Sequence, residues 1–312
     1  MYSNGSFLAG CIVRIKKLDD ILKTLEKNDT LEGLPFMPEM VKFCGNIYKI
    51  KQRVSKTCME DLQFGYEELN FGYGIFNNDD VVVLSDLRCD GQFHEGCCRD
   101  CTFFWKTKWL ELVDENEMKE NKNYDFQFEE AHIFNTMQGE GIYFCQNTEM
   151  RNSTTPISKI GKIRILLVDL KRKNYSLSDT IKNVFNPYYV RIKEKIRFTL
   201  TPITRKSTPS ESLNLQPGEQ VEVKSYKEIL KTLDKNGKNR GLQFTADMTK
   251  NCGKRFVVRS RLDKMIDGST GKMIILNNTV KLQGLTCGCH YPFGGCPKKE
   301  FNLWREIWLK RI

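Results

Sequence analysis

Histidine is scarce in this 312-residue chain, which has only His94, His132 and His290, so imidazole-based acid–base chemistry has few places to occur. The short motifs of common enzyme classes are missing too. There is no phosphate-cradling glycine loop, no dinucleotide fingerprint, no Ser-His-Asp order and no His-Glu-x-x-His helix. No apolar run approaches the ~20 residues that a membrane helix needs. Residues 1–10 lack the basic-then-apolar layout of a secretory signal. These absences predict a cytoplasmic protein with no membrane partner and leave open whether it is an enzyme.

Cysteine, by contrast, is abundant, with twelve in the chain. In a reduced cytosol disulfides are rare, and closely spaced cysteines there more often hold a metal. Charge is abundant too and unevenly spread. The net charge is +10 overall, but −3 over residues 1–113, +3 over 114–215 and +10 over 216–312. A basic face of this kind can attract nucleic acid, a membrane surface, an acidic partner protein or an acidic carrier-bound small molecule, although no nucleic-acid motif accompanies it.

The chain contains an internal repeat. Ile12 to Ile15, Asp20-Ile21-Leu22-Lys23-Thr24-Leu25, Gly33-Leu34, Phe36, Met40 and Cys44-Gly45 recur 208 positions later as Gln220 to Val223, Glu228-Ile229-Leu230-Lys231-Thr232-Leu233, Gly241-Leu242, Phe244, Met248 and Cys252-Gly253. The ends of the copies match at a slightly smaller offset, with Cys89 and Cys97 against Cys287 and Cys296, and Trp105, Trp109 and Leu110 against Trp304, Trp308 and Leu309. This gives a first repeat over 10–113, a linker and middle segment over 114–218, and a basic second repeat over 219–312.

Each copy reads as an alternating strand, a helix, a short second helix and further strands. Leu18, Ile21, Leu22 and Leu25 lie on one helical face, as do Tyr226, Ile229, Leu230 and Leu233. Strands are expected at Val81 to Leu84, at Met273 to Leu276 and at Thr279 to Leu282, the last two joined as a hairpin through Asn277-Asn278. In the middle segment, Ile160 to Leu170 is apolar and Ser178 to Phe185 reads as a short capped helix. The expected fold is mainly β with short helices (α+β), arranged as two tandem SH3-like small barrels joined by an irregular and helical segment.

In the first copy, Cys58, Cys89, His94, Cys97, Cys98 and Cys101 include pairs spaced to wrap one ion from a single turn. Zinc wants four thiolate or imidazole ligands in a tetrahedron. The preferred set is Cys58, Cys89, Cys97 and Cys101, with His94 and Cys98 as substitutes. In the second copy, Cys287, Cys289, His290 and Cys296 offer a further site, although Ile266 stands where Cys58 would be and Glu300 where Cys101 would be. Four thiolates can also hold an iron–sulfur cluster, though the spacing is not that of bacterial ferredoxins.

Cys44 and Cys252 suit buried core positions. Cys145 lies outside both clusters. It is the candidate for a reactive thiol, yet its neighbours Glu140 and Glu149 are acidic, which favours a structural thiol or a ligand donated to a cluster. The tryptophans, four apart in each copy, are expected to face one way on a short helix and to pack in the core.

Gly33 to Met40, Cys44-Gly45, Lys56-Thr57-Cys58, Leu87 to Gly91, Phe104-Trp105-Lys106, Cys145-Gln146, Leu215 to Glu219 and Trp304 to Leu309 together resemble a family of bacterial cysteine-rich proteins with two SH3-like repeats and no assigned activity. The resemblance covers nearly the whole chain. Members accompany polysaccharide or natural-product genes, which implies an accessory role in a biosynthetic pathway. The family pattern has cysteines at Cys44, Cys58, Cys89, Cys97, Cys101, Cys145, Cys252, Cys287 and Cys296, while Cys98, Cys289 and His290 depart from it.

Three expectations follow. One is a zinc-binding accessory or binding protein. Another is an iron–sulfur or other metalloenzyme doing redox or sulfur chemistry at a site between the repeats. The third is a nucleic-acid-binding protein acting through the basic second repeat.

Overall fold

The computed structural model describes residues 7–58, 73–114, 117, 134–182, 184–185, 192, 207–245, 247–287 and 297–312. The fold is mainly β, with short helices and several small antiparallel sheets. In the first repeat the principal strands are β1 (Ile12–Ile15), β2 (Ile47–Arg53), β3 (Val81–Leu84), β4 (Trp105–Lys106) and β5 (Leu110–Leu112). Their order is β4-β3-β2-β1-β5, so the opening strand is flanked by the second and the last.

In β1, Val13 and Ile15 are fully buried while Arg14 is only partly so, the alternation that a half-buried strand imposes. Val13 faces Tyr48 on one side and Leu112 on the other. The register of β2 against β3 shifts between Ile50 and Gln52. A bulge there bends the strand, so one half of β2 pairs with β1 and the other with β3. A single 3-10 turn, Thr107–Trp109, connects β4 to β5. This strand order with that turn is the one expected of a small open SH3-type barrel.

The second repeat builds the same sheet from β6 (Gln220–Val223), β7 (Arg255–Arg261), β8 (Thr279–Thr286), β9 (Phe301–Arg305) and β10 (Leu309–Arg311), in the order β9-β8-β7-β6-β10. The bulge recurs between Val258 and Ser260, and Arg261 faces Val280 as Arg53 faces Val82. The aromatic core recurs as well. Phe36 meets Trp109 edge-on at 5.3 Å, and Phe244 meets Trp308 at 5.2 Å.

Three readings of local structure change. The tryptophans of a pair do not share a helix: Trp105 lies on β4 and Trp109 ends a 3-10 turn, with Trp304 and Trp308 placed likewise. All four are fully buried, so the strand-to-turn junction reaches the same core that a helix would have reached. Helix α1 (Leu18–Leu22) is shorter than its apolar stripe, because Thr24 and Leu25 bond back three residues instead of four and tighten the chain out of the α-helix. The hairpin through Asn277-Asn278 does not form. Met273–Ile275 pairs with Lys264–Ile266, while β8 pairs with β7 and β9.

The chain forms two compact units. The first comprises residues up to 181 together with 266–273 and a stretch ending at Lys298, and the second holds the remainder. In the first unit, Phe134, Cys145 and Met150 of the middle segment join the core of the first repeat. Thr154–Pro156 pairs with Tyr73–Phe76, which pairs with Thr57–Cys58 in a separate three-stranded sheet. Helix α2 (Lys159–Lys171), capped by Ser158, buries Ile165 and Asp169. Asp169 receives the buried ammonium of Lys56 at 2.6 Å, and Tyr175 just beyond the helix accepts from Gln52 at 3.1 Å.

Candidate metal centre

The loop from Cys89 to Cys101 is closed by its own backbone. Cys89 N–H donates to the Cys101 carbonyl at 2.9 Å, and Arg88 and Thr102 form a β-bridge just outside that pair. Within the loop, the His94 and Gly96 N–H groups both donate to the Gly91 carbonyl, and Cys97 N–H donates to the His94 carbonyl. Gly91, at φ +68°, lets the turn pass directly over the backbone of Cys97. Cys89, Cys97 and Cys101 are thereby gathered on one compact loop.

Three thiols share a local device. The backbone N–H of Gly91 lowers the pKa of Cys89, that of Arg99 the pKa of Cys97, and that of Asn147 the pKa of Cys145. In each case the donor lies two residues on. Cys97 also accepts the Ile266 N–H at 3.4 Å. Such bonds favour the thiolate over the thiol.

Burial acts against them. It raises the pKa of Cys89 well above its ordinary value, and the charges of Glu39, Cys101 and Cys145 add to the rise. Burial raises Cys97 and Cys145 as well, with each thiol in the field of the other or of its neighbours. Without a cation, these thiols are held protonated. Cys145 is buried, and that setting does not activate a nucleophile.

Beside the thiols lies a buried pair missed by sequence reasoning. His94 Nδ1 meets Glu39 Oε1 at 2.6 Å, and His94 Nε2 meets the Phe144 carbonyl at 2.9 Å. Burial pushes the imidazole pKa down, but the Glu39 carboxylate and the Phe144 carbonyl outweigh it and leave His94 above its ordinary value. Both ring nitrogens are thus occupied by acceptors, which makes His94 a strut between three segments. Glu39 also accepts the Phe93 N–H, while its Oε2 is buried with no hydrogen-bond partner. A carboxylate inside the apolar run Phe36 to Val41 is the sequence signal that could have found it.

Gln146 was also missed as a contact. Its Oε1 accepts the Phe104 N–H at 2.9 Å, and its Nε2 donates to the carbonyls of Pro35 and Phe104. It fixes the neighbouring Cys145 against the first repeat.

Of the other expected ligands, Cys58 lies in the three-stranded sheet opposite Tyr73, and Cys98 Sγ donates to the Gly96 carbonyl at 3.2 Å. In the second repeat, Cys287 N–H donates to the Glu300 carbonyl at 2.6 Å, and Cys289, His290 and Cys296 lie outside the described residues. Among the described residues, no three Cys, His, Asp or Glu side chains converge as a finished metal cage. Comparison with known protein families, curated proteins and solved structures finds no match for this chain.

Proposed function

We propose that the first repeat is a zinc-stapled binding module in which Cys89, Cys97, Cys101 and Cys145 hold the ion. The protein would then serve as an accessory that engages an acidic partner or an acidic carrier-bound molecule and turns over no substrate of its own. The carrying observation is the backbone-closed loop that gathers Cys89, Cys97 and Cys101, with the Cys97 sulfur accepting the Ile266 N–H at 3.4 Å. Backbone donors of this kind orient a ligating thiolate and spread its charge. A divalent cation would reverse the burial penalty on these thiols.

A binding role fits the committed nitrogens of His94, the protonated thiols and the +10 charge of residues 216–312. The test is metal analysis of anaerobically purified protein, with cobalt(II) exchange to report thiolate ligation. One zinc per chain is expected, lost in Cys145→Ser and kept in Cys58→Ser. A metal-free wild type would sink the proposal, and loss in Cys58→Ser with retention in Cys145→Ser would restore Cys58 as the fourth ligand. Brown protein with stoichiometric iron and sulfide would replace zinc with a cluster.

A further inference from the structure

Helix α2 is apolar on two opposite faces. At 100° per residue, Ile165 and Asp169 point one way and are buried, whereas Ile160, Ile163 and Leu167 fall on the reverse side, 82%, 64% and 64% exposed. The helical stretch 177–182 continues the pattern, with Leu177 65% and Ile181 50% exposed. Five of the thirteen large exposed hydrophobics among the described residues lie between Ile160 and Ile181, so they are concentrated and not scattered singly.

The charge around them has one sign. From Lys159 to Ile181 the sequence carries six Lys or Arg against two Asp or Glu, and one of those acids, Asp169, is neutralised by Lys56. Arg164, Lys171 and Lys173 are exposed. On the helical wheel Arg164 and Lys171 border the apolar stripe directly.

We infer that α2 and the helical stretch after it form a docking face for an anionic membrane surface, with Ile160, Ile163 and Leu167 entering the headgroup boundary and the flanking basic side chains meeting lipid phosphate and carboxylate. An exposed apolar stripe edged by Lys and Arg suits such an interface, while the opposite face is taken up by the first repeat. At thirteen residues α2 is too short to cross a bilayer, so it rests on the surface. The Lys56–Asp169 pair and the Arg172 bond to Ser55 at 2.8 Å hold the helix end to the first repeat, so the exposed face is presented by a fixed support. The basic excess selects lipid over an apolar protein partner, which would not call for so many cations of one sign.

The test is co-sedimentation of the full chain with neutral phosphatidylcholine vesicles and with vesicles containing one part in three phosphatidylserine. Expected is binding to the anionic vesicles alone, weakened by salt. It should fall about tenfold in Ile163→Asp/Leu167→Asp, and roughly fivefold for each charge removed in Arg164→Gln and Lys171→Gln. These positions are exposed, and matching thermal melts establish that the variants fold. Equal binding to both vesicle types, or binding unchanged by the Asp variants, overturns the inference. So does a wild-type dimer in solution that Ile163→Asp/Leu167→Asp dissociates without any vesicle binding, since a second copy would then own the face.

Discussion

A β-carbon at Gly91 would overlap the carbonyl oxygen of Cys97 and stand 2.7 Å from its backbone nitrogen, in a turn held at φ +68°. Backbone on both sides leaves nothing flexible to yield. Gly91→Ala is therefore expected to cost about 3 kcal/mol, measured by denaturant unfolding. Gly253→Ala, at φ +73° but with open space around it, should cost only about 1 kcal/mol. Equal costs would show that the closed loop around Cys97 does not have this geometry.

The same repeated position separates the two copies. Gly33 and Gly241 both have positive φ, but a β-carbon at Gly33 would lie 2.5 Å from the Asn152 carbonyl oxygen, whereas nothing stands within 4 Å of one at Gly241. Alanine at Gly33 should destabilise more than alanine at Gly241 by about 1–2 kcal/mol in matched urea titrations.

Each repeat seats its second tryptophan on a threonine. Trp109 Nε1 donates to Thr24 Oγ1 at 3.1 Å and Trp308 Nε1 to Thr232 Oγ1 at 3.0 Å, and each hydroxyl donates back to a helix carbonyl. Thr24→Val and Thr232→Val keep the shape and orphan the indole N–H. Each should lower stability by about 1–2 kcal/mol, with similar losses in the two copies by thermal or chemical melts.

Burial pushes the Cys44 thiol up to about 12 from its ordinary 9.0. Above pH 9 the unfolded chain loses this proton while the folded chain keeps it. The contribution is therefore fully present below pH 9 and falls as pH rises toward 12, with a limiting slope of about 1.4 kcal/mol per pH unit. Melts between pH 8 and 10.5 should show a smaller slope in Cys44→Ala, and an unchanged slope would place the titration elsewhere.

Lys56 and Asp169 are 3% and 2% exposed in their side chains, so removing one partner strands a buried charge. Lys56→Met should cost about 3 kcal/mol and open the helix end to protease. Lys56→Met/Asp169→Leu should recover most of the loss, since two apolar side chains no longer need each other's charge.

The repeat was legible because its strands, bulge-flanking residues and tryptophans recur at fixed offsets, and each match marks a place in the same sheet. Ile12 to Ile15 and Val81 to Leu84 are strands where alternation and β-branching put them. The tryptophan pairs were misread because a spacing of four suits an α-helix as well as a strand end followed by a 3-10 turn. Asn277-Asn278 has turn chemistry, but turn chemistry does not say which strands flank the turn, and here they pair with others. Glu39–His94 and Gln146–Pro35 join residues 55 and 111 positions apart, a distance over which local pattern carries no information.

Gln146 has a consequence for where this protein can be divided. Its side chain bonds to backbone on both sides of the first repeat's core, and Phe134, Cys145 and Met150 fill that core alongside it. The last strand of the first barrel nevertheless ends at Leu112. A chain severed just after Val113 would keep every strand of the barrel and lose part of its interior wall, leaving Phe36 and Phe104 facing water. The repeat that sequence delineates ends at 113, while the first compact unit extends well into the segment between the copies.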